Sequence, residues 1–87
     1  MTTATQNTQK APRRLSENTI ARYNTEQLFR HLDRFLDRAF SENAPYRGLY
    51  YYGDIYRLEG DAYVWHCKIS DRDALEEVLR DTYSRAR

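Results

Sequence analysis

The stretch that most constrains this chain is Gly48 to Ile69, GLYYYGDIYRLEGDAYVWHCKI. With Tyr46 just ahead, it holds six of the eight tyrosines, the one tryptophan and the one cysteine. β-branched and aromatic runs broken by Gly53-Asp54 and Gly60-Asp61 read as strands joined by tight turns, because glycine takes the positive φ that primed hairpin turns need. The spacing predicts a three-stranded antiparallel meander over about 48–52, 55–59 and 62–69.

Two-residue loops at both Gly-Asp pairs set a register in which Tyr51 faces Tyr56, Leu49 faces Leu58, and Tyr56 faces Trp65. Directly opposed residues share a face, and alternate residues along a strand return to it. One face then collects Leu49, Tyr51, Tyr56, Leu58, Tyr63, Trp65, Cys67 and Ile69, the expected core. The other collects Tyr50, Tyr52, Ile55, Arg57, Val64 and His66, expected toward solvent.

A helix is predicted on either side. Asn24 is a good N-cap with Gln27 at the capping-box position, and Leu28, Phe29, Leu32, Phe35, Leu36, Ala39 and Phe40 recur at helical spacing. This helix should run to about Ser41 and stop before Pro45. Ser70-Asp71-Arg72-Asp73 reads as a second capping box, followed by a buried stripe of Leu75, Val78, Leu79, Thr82, Tyr83 and Ala86. The order is α-β-β-β-α, an α+β class with both helices packed on one face of the meander.

Ahead of this domain, taken as 23–87, residues 1–22 read as a flexible basic arm. They carry Lys10, Arg13, Arg14 and Arg22 against one acid, Glu17, and residues 1–14 are rich in Thr, Gln and Asn. Such a segment has too little apolar surface to offset its ordering entropy. Leu15, Ile20 and Tyr23 hint at a short helical turn after Ser16. The whole chain has a net charge of only +1, so it has no overall preference for a polyanion. One cysteine cannot staple a fold or build a thiolate metal site, which points to a reducing, cytoplasmic setting. No apolar run reaches the length of a membrane span.

The chain offers little for catalysis. His66 and Cys67 are adjacent, but neighbours in a strand point to opposite faces and cannot share a proton. His31 has no second ligand fixed beside it, and Asp33 and Asp37 lack a third. No Gly-rich loop cradles a phosphate. The expectation is a protein that is not an enzyme and needs no metal or cofactor.

The α-β-β-β-α order over about 24–87 resembles that of double-stranded-RNA-binding domains and of small mRNA-cleaving toxins of that topology. The second helix opens SDRDALEEVL, acidic where the RNA-binding family presents a lysine cluster, and the strand segment VWHCK lacks the toxins' Gly-Ser-His type motif. The resemblance implies an RNA- or single-strand-binding module as one reading, carried by Arg13, Arg14, Arg30, Arg34 and Arg38. The preferred expectation is a small binding protein, an adaptor, regulator or inhibitor of a larger protein machine. Its build is similar to that of inhibitors carried by phages and other mobile elements. The partner surface is expected at Tyr46, Arg47, Tyr50, Tyr52, Ile55, Arg57 and His66, since tyrosine and arginine are favoured at interface hot spots. Self-association through the sheet face or the edge strand GLYYY is the other route.

Overall fold

A computed structural model of the chain describes residues 13–49 and 53–86. A short helix α1 (Glu17–Arg22) leads into the long helix α2 (Thr25–Phe40). A 3-10 turn (Ser41–Asn43) then enters strands β1 (Tyr46–Leu49), β2 (Asp54–Glu59) and β3 (Ala62–Lys68), and helix α3 (Arg72–Arg85) closes the chain. The strands form one antiparallel sheet in the order β1-β2-β3. This is the expected α+β meander with its two flanking helices, preceded by one additional helix.

Local chemistry sets the helix ends. Asn24 and Gln27 form a reciprocal capping box: the Gln27 N–H donates to Asn24 Oδ1 and the Asn24 N–H to Gln27 Oε1, both at 2.8 Å. On α3 the cap is Asp71, whose Oδ1 accepts from the Ala74 N–H at 3.2 Å, one residue later than the Ser70 expected from sequence.

One continuous core joins the two long helices to the inner sheet face. It contains Leu28, Phe29, Leu32 and Leu36 of α2, Leu75, Val78 and Leu79 of α3, and Tyr46, Ile55, Cys67 and Ile69 from the sheet side. Ile20 of α1 belongs to it as well and is 1% exposed. The segment 13–22, taken from sequence as part of a flexible arm, thus carries a helix with a core residue. Residues 1–12 lie outside the described part.

The expected division of the sheet is reversed as far as Trp65 and kept for Cys67 and Ile69. The β1–β2 connection is longer than two residues: Leu49 pairs with Asp54, Gly48 with Ile55, Arg47 with Tyr56 and Tyr46 with Arg57. Compared with the expected register this is a four-residue slip, which preserves side-chain parity. The β2–β3 turn at Gly60-Asp61 is as expected, with Glu59 opposite Ala62 and Gly60 at φ 65°. Further along, Tyr56 pairs with Trp65 but Ile55 pairs with Cys67, so His66 is an extra residue in a β-bulge. The bulge breaks the alternation, and Trp65 and Cys67 leave the strand on opposite sides.

The inner face is therefore Tyr46, Gly48, Ile55 and, beyond the bulge, Cys67 and Ile69. The outer face holds Arg47, Leu49, Tyr56, Leu58, Tyr63 and Trp65. Ile55, assigned from sequence to solvent, is 1% exposed, whereas Trp65, assigned to the core, is 53% exposed and Leu49 40%. Gly48 decides which face is covered. A Cβ built there would lie 2.6 Å from Phe29 Cζ, so the α2 ring rests directly on the strand backbone.

Candidate functional site

Two surfaces stand out, on opposite sides of the molecule. The first is the outer sheet face. Tyr63 lies across it, its hydroxyl donating to the Ala44 carbonyl at 2.7 Å, and the Arg47 guanidinium stacks on its ring at 4.6 Å from the centroid. Trp65 Nε1–H donates to Asp54 Oδ1 at 3.1 Å, which orients the indole while leaving about half of the residue in water. Lys68 Nζ stands 3.7 Å from the same carboxylate oxygen. Asp54, the described acid on this face, is thereby satisfied twice, and Arg47 makes no ion pair with a carboxylate among the described residues.

The residues expected to bind a partner are dispersed by the fold. Arg47 is on the outer face. Tyr46 and Ile55 are core residues. The Tyr46 hydroxyl donates to Asp81 Oδ2 on α3 at 2.6 Å, and burial together with that carboxylate pushes its pKa up to about 12. The same hydrogen bond holds the Asp81 carboxyl below its ordinary range. His66, in the bulge, tilts against Tyr46 with ring centroids 5.6 Å apart. Arg57 shares the parity of the inner face and pairs with Glu59 at the sheet's end, Nη2 to Oε2 at 2.5 Å. Tyr50 and Tyr52 lie outside the described residues. The residues missed from sequence are Leu49, Tyr56, Leu58, Tyr63 and Trp65, and the signal that identifies them is Gly48. A glycine inside a strand marks close approach of another element, so the face opposite Gly48 is the open one.

The second surface is a groove of about 480 Å³ between the segment 13–23 and α2. Arg13, Arg14, Arg34 and Arg38 line it, with Tyr23 and His31 in its walls. Four of the five arginines considered from sequence for nucleic acid therefore converge. Arg30 does not; it is paired with Glu26 at 2.8 Å on the exposed side of α2.

The groove's inner wall is held by α3. Arg72 donates to the carbonyls of Tyr23 at 2.6 Å and Ile20 at 2.7 Å, closing the C-terminal end of α1, and to Glu76 Oε2 at 2.6 Å. Arg80 grips both oxygens of Glu17 at 2.8 and 3.2 Å. The Leu15 N–H donates to the Tyr83 hydroxyl at 2.8 Å, and that hydroxyl lies 2.6 Å from His31 Nε2. We assign the Tyr83 proton to this second bond, with His31 neutral and protonated at Nδ1. Burial, and then the charge of Arg34, lowers the His31 pKa from 6.5, in keeping with that assignment. Arg14 covers the Tyr83 and Phe35 rings at 5.3 and 5.9 Å and donates to the Ala86 carbonyl at 3.1 Å.

Cys67 is buried and burial raises its thiol pKa, so the thiolate needed for nucleophilic or metal chemistry is disfavoured. Among the described residues no group of three His, Cys, Asp or Glu side chains is placed to hold a metal ion. No described helix is long and apolar enough to cross a membrane. No protein-family model, curated protein or solved structure matches this chain.

Proposed function

We propose that this chain is a small non-enzymatic binding protein, an adaptor, regulator or inhibitor of a larger protein machine, that docks on a partner protein through its outer sheet face. The observation that carries this reading is Trp65, 53% exposed on the same face as Leu49, Tyr56, Leu58, Tyr63 and Arg47. A contiguous apolar and aromatic face on a small domain is characteristic of association. Tryptophan, tyrosine and arginine are the residues that most often anchor interfaces.

The charges on this face favour a different protein over a second copy. Asp54 is engaged by Trp65 and Lys68. A self-complementary pairing would bring the Arg47 guanidinium to a face whose described acid is already used. The occupant that fits is a protein surface with an apolar recess for Trp65 and a carboxylate for Arg47. The one cysteine, buried, suits a reducing compartment such as the cytoplasm.

The test introduces a photo-crosslinking amino acid at Leu49, identifies the captured protein, and measures its affinity for purified variants. Trp65→Ala should fold, because half of the side chain is already in water, yet bind at least about 30-fold more weakly, a hot-spot loss of roughly 2 kcal/mol. Arg47→Ala should also weaken binding. Unchanged affinity in both variants would refute the docking surface. A concentration-dependent dimer abolished by Trp65→Ala in sedimentation analysis would show that a second copy is the occupant instead.

A further inference from the structure

The basic groove lies on the helical side of the molecule, away from the sheet surface, and its chemistry differs. Arg13, Arg14, Arg34 and Arg38 converge on it, and none of the four makes an ion pair with a carboxylate among the described residues. The neighbouring acids are committed or face elsewhere: Glu17 is held by Arg80, and Glu26 by Arg30. Asp33 and Asp37 do not line the groove. Four guanidiniums gathered this closely repel one another unless an anion joins them.

The chain does not supply that anion from its own N-terminus. The twelve residues ahead of Arg13, MTTATQNTQKAP, contain no acid and add Lys10 to the positive charge. Arg34 and Arg38 stand one helical turn apart, a rise of about 6 Å, comparable to the distance between neighbouring phosphates on an extended strand. The half-buried Tyr23 adds an aromatic wall beside these cations. Guanidiniums that track a backbone beside an aromatic platform are how proteins hold single strands without reading sequence.

We propose that this groove binds the phosphate backbone of a single-stranded nucleic acid, with Arg34 and Arg38 on adjacent phosphates and Arg13 and Arg14 closing over the strand. Recognition is by charge and stacking, so binding is tolerant of sequence. An acidic peptide satisfies the guanidiniums but offers no base to stack on the aromatic wall.

The experiment is fluorescence anisotropy of the full chain with fluorescein-labelled decamers of deoxythymidylate and uridylate, over a range of salt concentrations. Four arginine–phosphate contacts should give a log–log salt slope of about −2 to −3. The double substitution Arg34→Gln/Arg38→Gln should weaken binding on the order of tenfold or more at low salt and flatten the slope by about 1.4. Arg30→Gln should leave both unchanged, and circular dichroism checks that each variant is folded. Three outcomes would overturn the proposal: no binding of either decamer at low salt, equal losses for Arg30→Gln and the double variant, or a labelled oligoglutamate bound as tightly as the decamers. Loss of decamer binding in Trp65→Ala would place the site on the sheet and overturn it as well.

Discussion

Replacing Gly48 by alanine tests the packing that decides which sheet face is covered. The added Cβ would overlap the Phe29 ring, which is 5% exposed and enclosed by the core, so the ring or the strand must shift. Forcing a carbon into a filled core costs about 1–3 kcal/mol. Against this, alanine in a strand recovers roughly 0.5–1 kcal/mol relative to glycine by restricting the unfolded chain. Gly48 is not among the positive-φ glycines, so alanine meets no backbone strain there. The net expectation is a loss of about 1–2 kcal/mol, which for a domain of this size lowers Tm by roughly 4–16 °C. The assay is urea unfolding followed by circular dichroism, with an unchanged m-value showing that native compactness is kept. Phe29→Leu supplies the control, because it removes the ring atoms nearest Gly48. In that background Gly48→Ala should become neutral or stabilising, since the steric term disappears and the entropic term remains. If Gly48→Ala is neutral in the wild-type background, or equally harmful in both, the Phe29 ring does not rest on β1 and the two-face assignment fails.

Two further outcomes follow from the way the N-terminal segment is held. Deleting residues 1–12 should leave Tm nearly unchanged, whereas deletion through Tyr23 removes buried Ile20 and the carbonyls bound by Arg72 and should lower Tm by roughly 10 °C or more; equal effects in differential scanning calorimetry would show that α1 contributes nothing. The His31 pKa is lowered in the folded state, so the unfolded chain binds the proton more readily. Its stabilising contribution is full above the ordinary value of 6.5 and is lost as pH falls from there through the folded value. Urea titrations at pH 7.5 and 5.5 should show a larger drop for the wild type than for His31→Gln, and identical drops would refute the neutral His31–Tyr83 bond.

Much of the fold is legible in the sequence because much of it is local. The 3.6-residue recurrence from Leu28 to Phe40 and the Asn24–Gln27 box each specify a helix within a few residues, and the box forms atom for atom. Gly60-Asp61 specifies a turn by backbone conformation, and the β2–β3 register near it follows. What tertiary structure alone decided is how these pieces face one another. Alternation tells which strand residues share a side but not which side is buried, because aromatic residues suit a core and an interface equally well. The covering of Gly48 by Phe29 settles that choice, and the bulge at His66 then separates Trp65 from Cys67. The groove is likewise invisible along the chain. Arg13 and Arg14 meet Arg34 and Arg38 because Arg72, Arg80 and Tyr83, some 50 to 70 residues away in sequence, hold α1 and its approach against the long helices. Local propensity reaches a few residues, and only packing brings such distant groups to one place.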